Sequence, residues 1–253
     1  MSTMSVSSGI YDSYSHISSG KRINTAADDA AGLAIGKKME REETGLGVGA
    51  QNARDGISAL NVADGALDGI MDSLQRIREL ALKSMNGTNS DSDRQTYQTE
   101  IDQLKEGIQS LAKSTTFNEY KLLDGSMADL ELAINPDGTG MKIGMVNSTL
   151  EALGIADFDV TSDSFSLDAV DNAMKLVSEK RTGLGASTNR LEYAYSYNTS
   201  AKLEQLSARS RIEDLDMPQA ITEKKKQELL GQYKNLMLRN QMNQNSMILR
   251  LFN

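Results

Sequence analysis

The feature that most constrains this 253-residue chain is its near lack of proline, which occurs only at Pro136 and Pro218. Proline removes a backbone donor and clashes with the preceding helical turn, so long stretches without it leave room for very long helices. The apolar residues follow helical periods through those stretches. From about Asp28 to Met85, Ile57, Leu60, Leu67, Ile70, Leu74 and Ile77 recur at helical spacing and form one stripe. Asn86-Gly87-Thr88-Asn89-Ser90 breaks it, because Gly and Asn readily take the left-handed conformation that ends helices. Ser90 or Asp91 can cap the next helix.

That second helix covers roughly Asp91 to Ser114, where Tyr97, Ile101, Leu104, Ile108 and Leu111 alternate spacings of four and three. This is a heptad seam, and the shortness of the segment predicts an antiparallel return along the first helix. A third helix is predicted from about Leu167 to Ser207, with Leu167, Val170, Met174, Val177, Leu184, Leu191 and Tyr195 in one heptad frame. Such a helix spans roughly 60 Å at its usual rise. It is too long to be enclosed in a small globule, so it is expected to pack lengthwise on the first as a rod.

Between the second and third helices, about Thr115 to Phe165, the character changes. Asn135-Pro136-Asp137-Gly138-Thr139-Gly140 is a turn signal between two candidate strands, Asp129–Ile134 and Met141–Val146. One or two β-hairpins are predicted here, against the alternative of an irregular surface loop. After Asp214-Leu215-Asp216-Met217-Pro218 a last helix runs to the C-terminus. Its apolar residues Leu229, Leu230, Tyr233, Leu236, Met237, Met247 and Leu251 are interleaved with Asn and Gln and occupy much of the circumference. A single copy of the chain does not offer enough partners for such a helix.

Composition narrows the function. With no Cys there are no disulfides or thiolate metal sites. No apolar run approaches the length of a membrane span. The first residues, MSTMSVSSGIYDSYSHI, lack the basic and apolar regions of a cleaved signal, so any export is expected to leave the N-terminus intact. A net charge of −8 argues against nucleic acid as the main partner. Trp is absent and aromatics are 5%, which leaves Leu, Ile, Met and Ala to fill the core.

The motifs that might carry chemistry are weak. Gly45-Leu46-Gly47-Val48-Gly49-Ala50 partly mimics a dinucleotide fingerprint, but that fingerprint needs a preceding strand and here follows a helical pattern. The plainer expectation is a loose or kinked helical stretch where small residues allow close packing. Asp28-Asp29 is expected to cap or begin the long helix. Asp157 to Asp163 lacks the central Gly and terminal Glu of a calcium loop. The single histidine, His16, has no cysteine partner and reads as structural or solvated. No metal, cofactor or catalytic residue is predicted.

Several segments resemble those of bacterial flagellins. Ser18-Ser19-Gly20-Lys21-Arg22-Ile23-Asn24, followed by Ala26-Ala27-Asp28-Asp29-Ala30-Ala31-Gly32, is similar to the hallmark N-terminal segment of that family. Leu74-Gln75-Arg76-Ile77-Arg78-Glu79-Leu80-Ala81 resembles its central helix motif, and Ala208-Arg209-Ser210-Arg211-Ile212-Glu213-Asp214 its C-terminal signature. Thr116-Phe117-Asn118, with Lys121-Leu122-Leu123, looks like the start of its β-region.

The resemblance implies a mainly α fold: a long antiparallel, coiled-coil-like helical rod with a small β-hairpin region and paired terminal helices. It divides the chain into an N-terminal inner-domain helix and spoke (1–30), rod helices (31–114), the β-hairpin region (115–165), a rod helix (166–208), and a spoke with the C-terminal inner helix (209–253). It implies a structural subunit, not an enzyme, that polymerises with itself into the flagellar filament for swimming. A minor flagellin or hook–filament junction protein is the alternative. A soluble helical binding module or chaperone would instead keep an ordered C-terminus as a monomer. Implied partners are cap and hook-junction proteins and an export chaperone, with uncleaved type III export to the extracellular filament and no membrane insertion.

The family's hypervariable outer domains are missing, which implies a thin, smooth filament. The segment before Ser18 is shorter than usual, which implies a truncated N-terminal inner helix. Polymerisation is expected to use Leu229, Leu230, Tyr233, Leu236, Met237, Met247 and Leu251. Many members are also detected by a host innate immune receptor, toll-like receptor 5. By resemblance that contact falls on Leu74, Gln75, Arg76 and Leu80, with Glu100 on the neighbouring helix, and Arg76 and Glu100 are expected to pair across the helix hairpin.

Overall fold

The computed structural model describes residues 12–162 and 165–251, with side chains as far as residue 247. Residues 12–19 are helical (α1). They are followed by α2 (Ala26–Ser84), α3 (Asp91–Ser114), β1 (Thr116–Phe117), β2 (Tyr120–Lys121), β3 (Asp129–Ala133), β4 (Gly140–Gly144), α4 (Leu150–Leu153), α5 (Asp168–Glu213) and α6 (Met217–Leu251). The chain divides into two compact units: Thr44–Ala201, and Met1–Glu43 together with Lys202–Asn253.

In the first of these units, α3 and α5 both run antiparallel to α2. Arg76 on α2 meets Glu100 on α3, and Gly69 lies beside Leu111. On the other side Asp64 meets Arg181 and Arg78 meets Asp171. The seam between them is the core: Leu60, Leu67, Ile70, Leu74, Ile77, Ile101, Ile108, Val170, Val177, Leu184 and Leu191 are all buried. Full burial of each such side chain contributes about 1.5–3 kcal/mol, so the repetition stabilises a long helical bundle with few aromatic residues. Helix α3 starts on a capping box, with the Ser90 hydroxyl accepting from the Asp93 amide and the Asp93 carboxylate accepting from the Ser90 amide.

The glycine-rich stretch of α2 is corrected in one respect. The helix passes through residues 45–50 unbroken, and its only non-helical backbone is at Asp29. The small residues do allow close packing. A Cβ on Gly45 would lie 2.7 Å from that of Pro136, and one on Gly49 would overlap the Ile134 carbonyl. What lands there is the β3–β4 hairpin, paired antiparallel from Asp129↔Gly144 to Ala133↔Gly140. Contact with the hairpin offsets the roughly 1 kcal/mol that a glycine costs a helix at Gly45 and Gly49. Two side-chain amides hold the hairpin by its last carbonyls: Asn52 donates to Ala133 and Asn198, itself buried, donates to Ile134, both at 2.7 Å.

Two small elements accompany this scaffold. β1 and β2 form a tight hairpin whose turn residues Asn118 and Glu119 have φ of 47° and 70°. Beyond β4, the segment carrying α4 is pinned to α3 by glutamines. Gln109 accepts from the Leu150 amide and Gln98 from the Val160 amide. Asp159 accepts from the amide and hydroxyl of Thr161, which holds its carboxyl below the usual range and spends it on a turn.

α5 continues past the predicted Ser207 to Glu213. Nothing in Ala208–Glu213 breaks a helix, and the stretch has partners within the second unit: Arg209 pairs with Glu43 at 3.0 Å. In that unit Asp29 caps the long helix by accepting from the Gly32 amide. Asp28 accepts from the amides of Thr25 and Asn24, which hold its carboxyl below the usual range. The loop 20–22 is laced to 212–215. Arg22 donates to the Glu213 carbonyl, Leu215 to that of Gly20 (φ +69°), and Lys21 Nζ lies 2.9 Å from the nearly buried Glu213 carboxylate. His16 closes this corner structurally, its Nδ1 lying 3.0 Å from the Lys21 carbonyl and its Nε2 3.6 Å from Asp28.

Candidate functional site

α6 begins where Asp216 accepts from the Gln219 amide and Pro218 occupies the first turn, where its missing donor costs nothing. Its first turns have partners in the same unit. Lys224 Nζ sits 3.6 Å above the Tyr14 ring, and Ser13 donates to Gln227. Further on the helix is apolar and open. Leu229 is 64% exposed, Tyr233 61% and Leu236 59%, and Leu230, Met237, Met242 and Met247 are exposed as well. The side chain of Leu251 lies outside the described residues. Full burial of a Leu or Met side chain is worth roughly 1.5–3 kcal/mol, and these, more than half exposed, realise only part of it. Exposed apolar side chains gathered on one helix in this way make it a candidate interaction surface.

The second cluster lies on α2 and α3. Arg76 donates through Nε and Nη2 to Glu100 Oε1, at 2.9 and 2.7 Å, and Nη1 reaches Glu79 at 3.1 Å. These carboxylates, Glu100 first, hold the guanidinium above its ordinary pKa. Gln75 is exposed and Arg76 partly so, whereas Leu74 and Leu80 are fully buried in the core. The set is therefore divided, with three polar side chains at the surface and two leucines beneath it.

Among the described residues no three His, Asp or Glu side chains converge as a metal-binding group, and no helix is long and apolar enough to cross a membrane. Missed in the sequence were the Arg181 clamp on Asp64 and Asp68 and the Asn52 and Asn198 supports of the hairpin. Each joins residues far apart in the chain, which no local period announces.

Residues 2–128 match the model of the bacterial flagellin N-terminal helical region, and residues 167–252 that of the bacterial flagellin C-terminal helical region. The chain belongs to the bacterial flagellin family. The flagellin of Halalkalibacterium halodurans is 38% identical over 243 residues, covering 93% of this chain and 89% of the relative. That of Bacillus subtilis is 36% identical over 261 residues, covering 88% and 86%. The crystal structure of Bacillus cereus flagellin is similar with a TM-score of 0.54 at 27% identity, over 59% of this chain and 89% of that one. This flagellin is a structural subunit of a flagellar filament that polymerises with its own copies, and not an enzyme.

Proposed function

We propose that the exposed apolar length of α6 is the surface through which this flagellin polymerises, with Leu229, Leu230, Tyr233, Leu236, Met237, Met247 and Leu251 buried by neighbouring copies. One observation carries the reading: the six of these side chains from Leu229 to Met247 stand in solvent on a helix whose own unit leaves them uncovered. Contacts that repeat without closing a ring build a helical polymer. The paired substitution Leu229→Asp and Leu236→Asp tests it. Filaments, seen by electron microscopy and sedimentation, should be lost while the helix content and melting of the monomer stay as they were. Normal filaments from this variant would refute the reading.

In the same reading the five domains run 1–30, 31–114, 115–165, 166–208 and 209–253, and the short region between α3 and α5 gives a thin, smooth filament. The subunit is secreted uncleaved through the flagellar type III apparatus to the extracellular filament. An export chaperone covers α6 before assembly, and cap and hook-junction proteins meet it at the filament ends. The unassembled subunit is recognised by toll-like receptor 5 at Gln75, Arg76 and Glu100, with Leu74 and Leu80 acting from beneath as supports. The exposure of the polar trio supports this division. Arg76→Ala should lower receptor signalling by soluble subunit, and Leu74→Ala should act only through lost stability; unchanged signalling by Arg76→Ala would count against the site.

A further inference from the structure

The methionines are unevenly placed. Met141 is buried, Met71, Met145 and Met174 pack against the core of their unit, and Met85 and Met217 stand singly in solvent at 51% and 37% exposed. On α6, Met237, Met242 and Met247 are 54%, 70% and 68% exposed. Their spacing of five residues turns each about 140° from the last, at 3.6 residues per turn. The three thioethers thus divide the helix circumference, and no docking face of this stretch lacks one. The sequence between them sharpens the point. From Arg239 to Met247 the residues are Arg, Asn, Gln, Met, Asn, Gln, Asn, Ser and Met, so the apolar character of more than two turns rests on Met242 and Met247 alone.

We propose that Met237, Met242 and Met247 form an oxidative modification site that controls whether the subunit can assemble, with peroxide as the oxidant. The inference rests on α6 being the polymerisation surface. The thioether sulfur attacks one peroxide oxygen. The O–O bond breaks, an S–O bond forms, sulfur loses two electrons, and the other oxygen leaves as water. The product is a polar sulfoxide on a side chain that must enter an apolar contact. Burying such a group without a partner is costly. Unassembled subunits present all three sulfurs, whereas subunits in a filament bury them, so peroxide acts before assembly and not after it.

The test uses the full-length chain and hydrogen peroxide, applied to monomer and to finished filament. Oxygen uptake is mapped by peptide mass spectrometry and assembly is measured as the critical concentration. Oxidised monomer should show a critical concentration raised about tenfold or more, as a poorly paired buried polar group implies. Methionine sulfoxide reductase should restore it, and the triple variant Met237→Leu, Met242→Leu, Met247→Leu should assemble equally well with or without peroxide. Oxidised monomer assembling at the untreated concentration would overturn the inference, as would a triple variant still as sensitive to peroxide. Should that variant fail to assemble at all, reductase repair decides, and no recovery overturns the inference. Equal oxidation of the three residues in monomer and filament would refute the polymerisation surface itself. Protection in the filament with no effect on assembly would leave that surface standing and remove only the oxidative control.

Discussion

Helices α5 and α6 both carry leucines, tyrosines and methionines, yet α5 buries Val170, Val177, Leu184 and Leu191 while α6 leaves Leu229, Tyr233, Leu236 and Met237 in solvent. The difference lies in what faces each helix more than in hydrophobicity. On α5 the buried residues recur every seven positions and need a single facing helix. On α6 Leu229, Tyr233, Leu236 and Met237 fall at i, i+4, i+7 and i+8 and share one side of the helix, but that side is left uncovered. A stripe that meets a facing helix is fulfilled inside one chain, and one that does not is left in solvent. The same side chain then has different surroundings in the two places, and in the proposed reading its work is folding in one and association in the other.

Leucine-to-alanine substitutions test this contrast most directly. Leu74→Ala, in the buried seam, should cost about 2–5 kcal/mol of stability in denaturant titration. Leu236→Ala, on α6, should change monomer stability by less than about 0.5 kcal/mol while raising the critical concentration for assembly. Equal destabilisation by the two would erase the distinction. Gly49→Ala comes next in size. Its Cβ would strike the Ile134 carbonyl, and such overpacking costs about 1–3 kcal/mol, with amide exchange in β3 and β4 accelerated. Ser90→Ala removes one half of the capping box and should cost about 1 kcal/mol, visible in the melting temperature.

The smallest effect is a pH dependence at the same cap. The Ser90 hydroxyl and amide hold the Asp93 carboxyl below its ordinary value. A carboxylate depressed in the folded state adds stability above its unfolded pKa of about 3.9 and loses it as pH falls through the lower folded value. Asp93→Asn should therefore be slightly less stable than the parent at neutral pH, and the two should converge in acid. A gap that widened on acidification would mean that the cap does not depend on the charge.

The parts of this fold that were legible are those written as local periods or punctuation. The seams of α2, α3 and α5, the break at Asn86–Ser90, the cap at Ser90 and the turn at Asn135–Thr139 each need only neighbouring residues to be recognised. α4 was not legible, because four residues carry no period and its place depends on Gln98 and Gln109 from another helix. The glycines of α2 suggested looseness, since the hairpin that covers them comes ninety residues later, roughly the span over which no sequence window can look. Of the candidate site, the exposed face of α6 was readable from its scattered apolar pattern. Leu74 shows the opposite case: its place in the stripe with Leu67, Ile70 and Ile77 already marks it as core, and there it is buried.

The two asparagines that hold β3–β4 also bear on timing. A lone pair of strands is marginal in water, and this one completes its hydrogen bonding with Asn52, early in the chain, and Asn198, late in it. As the polypeptide emerges from its N-terminus, the strands have been made long before the second amide appears. They should therefore stay open to solvent until α5 is in place, so that amide protection in Asp129–Gly144 marks the moment when both halves of the bundle have met. Protection in a chain that stops before α5 would show that the strands need no such latch.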